Sequence, residues 1–285
     1  MIDADLSTED LPPAGLTTAS TGLPTAPANV VDDDHRFSAW AATVAGERLQ
    51  TLREKGRDGT LLEGRALKDA GDALGHDILL LLLSTYRPDD AVLSEEGKDD
   101  KVRLNSKRVW ILDPLDGTRE YSEPPRDDWA IHVALWETGD LVAGAVAQPG
   151  MSTTFSTADP PVVPPRTSER PRMAVSRTRP PAFVAALATE IDADLVPMGS
   201  AGAKVISVAR DVTDAYVHAG GQYEWDSAAP VVVARAAGLH TSRADGAPLA
   251  YNQDDVLLPD LLVCRPELAD AITSFVRRYW AEHGQ

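Results

Sequence analysis

The sequence predicts an α+β fold over its first half and an α/β fold over its second, with the division near residues 158–171. Three observations carry this expectation. Apolar residues at helical spacing open the first half, which then carries two adjacent apolar runs joined by a short polar turn. A proline-rich, polar stretch follows. Beyond it, short apolar runs alternate with helical segments.

In chain order, residues 1–30 are rich in Thr, Ala, Pro and Asp, lack sustained periodicity and read as a mobile tail. Asp32-Asp33-Asp34 marks a helix start, because acidic side chains complement the positive end of the helix dipole. Phe37, Trp40, Ala41, Val44, Ala45 and Leu49 then form one apolar face. A second helix is expected over 73–86, stopped by Arg87-Pro88. Its run Ile78-Leu79-Leu80-Leu81-Leu82-Leu83 is about a third of a membrane span and reads as a buried helix segment. Residues 91–93 and 109–112 read as strands, and 130–136 with 141–147 as a hairpin across Glu137-Thr138-Gly139-Asp140. In the second half, strands are expected at 173–176, 214–218 and 261–264. Helices are expected at 182–191, 203–209 and 228–237, and again at the C-terminus. The expected organisation is a tail over 1–30, an α+β subdomain over 31–165 and an α/β subdomain over 170–285.

The 27 Lys and Arg residues face 44 Asp and Glu, for a formal charge of −17. Such a surface repels nucleic-acid polymers and anionic membranes, having no cationic field to release their counterions. A small anionic ligand remains allowed wherever bound divalent cations reverse the local sign. Cys264 is the single cysteine, which excludes an internal disulfide and a cysteine-based metal cluster. The start Met1-Ile2-Asp3-Ala4-Asp5 has neither the basic nor the apolar run of a secretory signal, so a soluble, cytoplasmic protein is expected. A homodimer is compatible with the sequence.

The chemistry concentrates where apolar runs end in carboxylates. The strand at 109–112 leads into Asp113-Pro114-Leu115-Asp116-Gly117-Thr118, which brings two carboxylates to one sheet edge, with Pro114 stiffening the turn between them. Clustered carboxylates repel unless a cation lies between them, and hard oxygen ligands favour Mg²⁺ or Mn²⁺. Gly117 and Thr118 would open a helix whose free N–H groups can receive a phosphate. An acidic surface turn is the competing reading. Glu95 also follows a strand and reads as a ligand, whereas Glu96 belongs to a solvated patch or a supporting role. Asp226 precedes Ser227-Ala228-Ala229, where it could cap a helix and ligate with its second oxygen. Asp72 could be a cap alone, and Asp69 competes for that place.

Taken together, Leu93-Ser94-Glu95-Glu96, Asp113-Pro114-Leu115-Asp116-Gly117-Thr118 and Trp225-Asp226-Ser227-Ala228-Ala229 resemble the inositol monophosphatase superfamily of Mg²⁺-dependent, lithium-sensitive phosphatases. The resemblance covers about residues 35–280. It implies a layered αβαβα sandwich. It also implies that Glu95, Asp113 and the Leu115 carbonyl hold a first metal, and Asp113, Asp116 and Asp226 a second. A third, weaker Mg²⁺ would rest on Glu95 and water near Asp72. Asp72 and the Thr118 hydroxyl would orient and deprotonate the attacking water, and the Gly117 and Thr118 N–H groups would grip the phosphate. Mn²⁺ is a plausible substitute and Li⁺ an inhibitor. Asp69-Ala70-Gly71-Asp72 lacks the threonine of many relatives, which puts the geometry of the third site in question.

Arg119-Glu120-Tyr121 is similar to the branch of this family, called CysQ in bacteria, that hydrolyses 3′-phosphoadenosine 5′-phosphate to AMP and phosphate. Arg126-Asp127-Asp128-Trp129-Ala130 and His218-Ala219-Gly220-Gly221-Gln222 are similar to its actinobacterial members. Gly199-Ser200-Ala201-Gly202-Ala203-Lys204 is similar to that branch's loop before a helix. Its free N–H groups and the Lys204 cation would take a second phosphate, against the alternative of a plain cap at Ser200 with an exposed lysine. Gly220-Gly221-Gln222-Tyr223-Glu224 would form a wall for the base or sugar, with Glu224 a substrate contact beside Arg119, Ser200 and Gly202. The corresponding 5′-phosphosulfate would be a further substrate of the same reaction, while inositol 1-phosphate, fructose 1,6-bisphosphate or a pathway-specific nucleoside phosphate are rival substrates. A non-catalytic nucleotide-binding protein is the rival of a different class.

Overall fold

A computed structural model describes residues 22–56, 59–178 and 180–284. Helix α1 (Ala28–Val31) precedes two long helices, α2 (Asp34–Lys55) and α3 (Gly64–Tyr86). Asp33 caps α2 by accepting the Arg36 N–H at 3.1 Å, as the acidic start predicts. Of the tail expected over 1–30, residues 1–21 lie outside the described residues. The described remainder is packed rather than mobile: Leu23, Ala26 and Val30 are buried against the first two long helices.

The first sheet runs in the order β1 (Ala91–Ser94), β2 (Arg108–Asp116), β3 (Ala130–Glu137), β4 (Asp140–Gln148) and β5 (Thr153–Ser156). Only the β1–β2 pair in it is parallel. The short helix α4 (Thr118–Tyr121) lies between β2 and β3. The second sheet runs β7 (Asp194–Met198), β6 (Arg172–Ser176), β8 (Ala215–Tyr223), β10 (Leu257–Cys264) and β9 (His240–Ser242). Helices α5 (Ala182–Glu190), α6 (Ala201–Ala209), α7 (Glu224–Ala236) and α8 (Ala269–His283) complete the chain.

Strand alternation builds three cores, because successive side chains leave opposite faces of a strand. Trp110 and Leu112 of β2 join α2 and α3 in the outer core, whereas Val109 and Ile111 point to the central one. That central core holds the facing residues of α6 and α7 together with Ala174, Tyr216, Leu261 and Val263 from the second sheet. Met173, Val175, Val217 and Leu262 form the third core with α5 and α8. The result is the helix, sheet, helix, sheet, helix layering that the resemblance implies.

Two helix starts differ from the sequence expectation by four residues or more. The second helix begins at Gly64 rather than residue 73, so Asp72 projects from its interior and caps nothing. Gly71 does not break it: a Cβ there would approach the Tyr121 ring to 2.7 Å, so the glycine is required by close packing. Helix α7 begins at Glu224 rather than residue 228, which places Asp226 in its first turn. Among the described residues no helix is long and apolar enough to cross a membrane, and Ile78 and Leu79 are buried in the outer core.

Candidate active site

The site starts from the parallel pairing of β1 with β2. Ser94 lies opposite Leu112, so Glu95 continues the register beside Asp113, its N–H donating to the Leu112 carbonyl at 3.2 Å. Asp113 is 1% exposed, and its carboxyl is in hydrogen-bond contact with that of Glu95. The β2–β3 ladder is irregular between Asp113 and Asp116, where Pro114 has no N–H to give. That irregularity lets both carboxylates reach the same end of the sheet.

Asp226 arrives from the other side. Its Oδ2 accepts the Tyr223 N–H at 2.6 Å, so it steadies the start of α7 from inside the first turn. Burial, then the nearby Asp116, pushes its carboxyl up to about 7. Glu95 is pushed up to about 7 as well, by burial and by the neighbouring Asp116, Glu96 and Asp72 charges against the bond to Asp113. The Glu95 residue as a whole is exposed, yet its carboxyl meets that of the buried Asp113, where the desolvation acts. Asp113 is raised well above the usual carboxylate range by burial and by Glu95, Asp116 and Asp226. Asp72 is half-buried and pushed up to about 7 by burial and by Glu96. The Thr118 hydroxyl lies 3.5 Å from Asp72 Oδ1 and 3.2 Å from the Leu115 carbonyl.

Asp116 behaves differently. Burial opposes its charge, but His132, Ser200 and Lys204 outweigh it and hold the carboxyl down to about 2. Its Oδ1 accepts the Ala201 N–H at 3.0 Å and its Oδ2 the Gly202 N–H at 2.6 Å, with the Ser200 hydroxyl on Oδ2 as well. The fully buried His132 stands opposite Asp113 in the β3 register, its Nε2 3.2 Å from Asp116 Oδ2. Among the described residues that nitrogen has no partner of hydrogen-bond geometry, so the contact is a close approach that is an ion pair only when the ring is protonated. Burial works against a charged His132, yet Asp116 raises its pKa.

Several expected substrate contacts are therefore corrected. The N–H groups of the 199–203 loop are not free: Gly199 donates to Asp128 at 2.6 Å, Ala201 and Gly202 to Asp116, and Ala203 to Ser200 Oγ at 2.9 Å. Lys204 is 6% exposed, and its Nζ donates to the Gly199 carbonyl at 3.1 Å and to that of Ser200. The lysine holds the loop in shape from inside rather than reaching out of it. Glu224 is 1% exposed and accepts the Asn252 and Gln253 N–H groups, each at 2.7 Å. It closes a loop onto α7 and offers no oxygen to a substrate. Of Arg119-Glu120-Tyr121, Tyr121 is buried with its hydroxyl donating to the Leu49 carbonyl at 2.8 Å. Glu120 is buried and paired with Arg177 at 2.7 Å. Arg119 is exposed, at the mouth of a cavity of about 250 Å³ lined also by Arg177, Thr178, Met198, Ser200 and Lys204.

The model of the inositol monophosphatase family matches residues 36–281. The chain belongs to the inositol monophosphatase family. Among curated relatives, the 3′-phosphoadenosine 5′-phosphate phosphatase of Mycobacterium leprae is 46% identical over 260 residues, covering 87% of this chain and 94% of that one. The 3′(2′),5′-bisphosphate nucleotidase CysQ of Escherichia coli is 31% identical over 202 residues, covering 66% and 81%. The crystal structure of CysQ from Bacteroides thetaiotaomicron superposes with a TM-score of 0.70 at 24% identity, covering 80% of this chain and 96% of that one. That likeness shows the fold.

The donor set fits a family metal site. Asp113, Asp116 and His132 offer ligand atoms within 4.8 Å of one another, all buried. Three carboxyls are raised by burial and by their mutual repulsion, the condition that a divalent cation relieves. His132 is the member that sequence reading missed. In Ala130-Ile131-His132-Val133-Ala134 it reads as one polar residue in an apolar strand, and only the register opposite Asp113 reveals its place.

Proposed function

We propose that this protein is a Mg²⁺-dependent phosphomonoesterase that hydrolyses 3′-phosphoadenosine 5′-phosphate to AMP and phosphate. The observation that carries the reading is the convergence of Glu95, Asp113, Asp116 and Asp226 on one point, with Asp72 and Thr118 beside it. Glu95, Asp113 and the Leu115 carbonyl would hold one ion, and Asp113, Asp116 and Asp226 another. A weaker third would rest near Glu95 and Asp72. The oxygen ligands proposed here, Glu95, Asp113, Leu115, Asp116 and Asp226, also suit Mn²⁺. Mg²⁺ bound there supplies a water acidic enough to attack at neutral pH and offsets charge on the phosphoryl oxygens.

The chain's own residues do the rest. The Thr118 hydroxyl accepts from the attacking water while donating toward Asp72 Oδ1, and Asp72 takes up the proton. With its carboxyl pushed up to about 7, Asp72 is matched to that task near neutral pH. The N–H groups of Gly117 and Thr118, directly after the paired carboxylates, orient the phosphate. Cys264 is buried and burial pushes its thiol up, so it offers no competing nucleophile.

Two features and the relatives support the nucleotide. Arg119 is exposed and lines the cavity, a cation suited to a second phosphate. Tyr223 is 44% exposed and stacks on Trp225 at 4.9 Å, beside Asp226, presenting a ring face to a base. Relatives at 46% and 49% identity are named for this substrate. In a panel with Mg²⁺, phosphate release from 3′-phosphoadenosine 5′-phosphate should exceed that from inositol 1-phosphate by at least about tenfold in kcat/KM, roughly 1.4 kcal/mol. Equal or reversed preference returns the substrate to the inositol, fructose bisphosphate or other nucleoside phosphates. Repeating the panel with Li⁺ should suppress release.

A further inference from the structure

We propose that His132 is a positioning residue that sets the spacing between the metal-binding end of β2 and the start of α7. A histidine inside an apolar strand is costly to bury unless its nitrogens are engaged. Nδ1 is hydrogen-bonded, and Nε2 lies against a carboxylate outside hydrogen-bond geometry. Nδ1 lies 3.1 Å from the Trp225 carbonyl, and since a carbonyl only accepts, Nδ1 carries the proton of that bond. Trp225 is the residue before Asp226. Nε2 lies 3.2 Å from Asp116 Oδ2, and Nδ1 3.9 Å from Asp113 Oδ2.

A third segment closes on the same ring. A Cβ on Gly202 would stand 2.0 Å from His132 Nε2, so α6 packs directly on the imidazole, and the Gly202 N–H reaches Asp116 from there. His132 is thus a rigid spacer between Asp116, from the first sheet, and Asp226, from a helix of the second half. Rings that orient metal-binding carboxylates in this way change metal affinity by about 10–100-fold when removed. The inference rests on the metal reading given above, and the two fail differently: if that reading is wrong, the unaltered protein binds no Mn²⁺.

The test compares His132→Leu, His132→Asn and His132→Gln by equilibrium Mn²⁺ titration, following free Mn²⁺ by its electron paramagnetic resonance. Asn places an amide N–H where Nδ1 stands and keeps the bond to Trp225, whereas Leu and Gln do not. All three should weaken Mn²⁺ binding, His132→Leu and His132→Gln about tenfold or more and His132→Asn less, since it keeps the Trp225 bond but loses the ring edge against Asp116. Melting temperatures without metal show which variants fold. A folded Leu variant of unchanged affinity overturns the proposal. Should the Leu variant not fold, Gln against Asn decides it, and equal affinity in those two overturns it.

Discussion

Asp113 is held from three sides within the site. It is buried, pairs in register with His132 and touches the Glu95 carboxyl. Asp113→Asn keeps the shape and removes the charge, so it separates ligation from packing. With Mg²⁺ present, kcat/KM should fall by about a thousandfold or more, roughly 4 kcal/mol of transition-state stabilisation. Without metal the melting temperature should hold or rise, because one member of a repelling cluster is gone. A protein that only binds nucleotides would have no turnover to lose. At this scale the carboxylates were legible, since Glu95, Asp113 and Asp116 sit where apolar strands end. The directions of Ser200, Lys204 and Glu224 were not. A lysine after a glycine-containing loop can point outward or inward, and here the Gly199 and Ser200 carbonyls draw it inward. No local pattern encodes that choice.

Elements position these residues through contacts that are distant in sequence. The start of α7 is braced from the β1–β2 connection. Asp99 receives both Nε and Nη2 of the buried Arg103, at 3.0 and 2.8 Å. Arg103 in turn donates to Asn252 Oδ1 at 2.7 Å and the Gln253 carbonyl at 2.8 Å, and those two residues donate to Glu224. Arg103 holds the Asp99 carboxyl down to about 2 from its ordinary 3.8, although burial opposes this. A carboxyl depressed in the folded state stabilises above its ordinary pKa, and that contribution is lost as pH falls toward the folded value. Asp99→Asn should therefore cost about 1–2 kcal/mol at neutral pH, partial exposure limiting the loss. The gap to the parent should close between about 3.8 and 2, as read by urea unfolding across pH. A gap independent of pH would mean that the carboxylate charge contributes nothing. Helix α2, the β3–β4 hairpin and α5 were legible from periodicity and turns. The early start of α3 was not, because Gly64 and Gly71 weaken local propensity while packing on Tyr121 and Leu115 overrides it. Strand β7 was also missed: it lies at a sheet edge and carries Pro197, which ordinarily argues against a strand.

The whole molecule joins a strongly negative chain to a site built from further negative charge. The formal charge of −17 works against compaction, and simple salt relieves this by screening alone. A site formed by β2 and α7 adds a different term, because a cation bound to the folded chain stabilises it by mass action. At a hundredfold excess over its dissociation constant the gain is about 2.7 kcal/mol. The central core contains residues of both sheets and of α6 and α7, so both halves should melt in one transition that moves as a unit. Mg²⁺ should therefore raise that single melting temperature more than KCl at equal ionic strength. In Asp113→Asn the excess over KCl should shrink or vanish while the KCl response stays. Matched rises in the unaltered protein would leave only screening, and would remove the metal site from the account of this fold's stability.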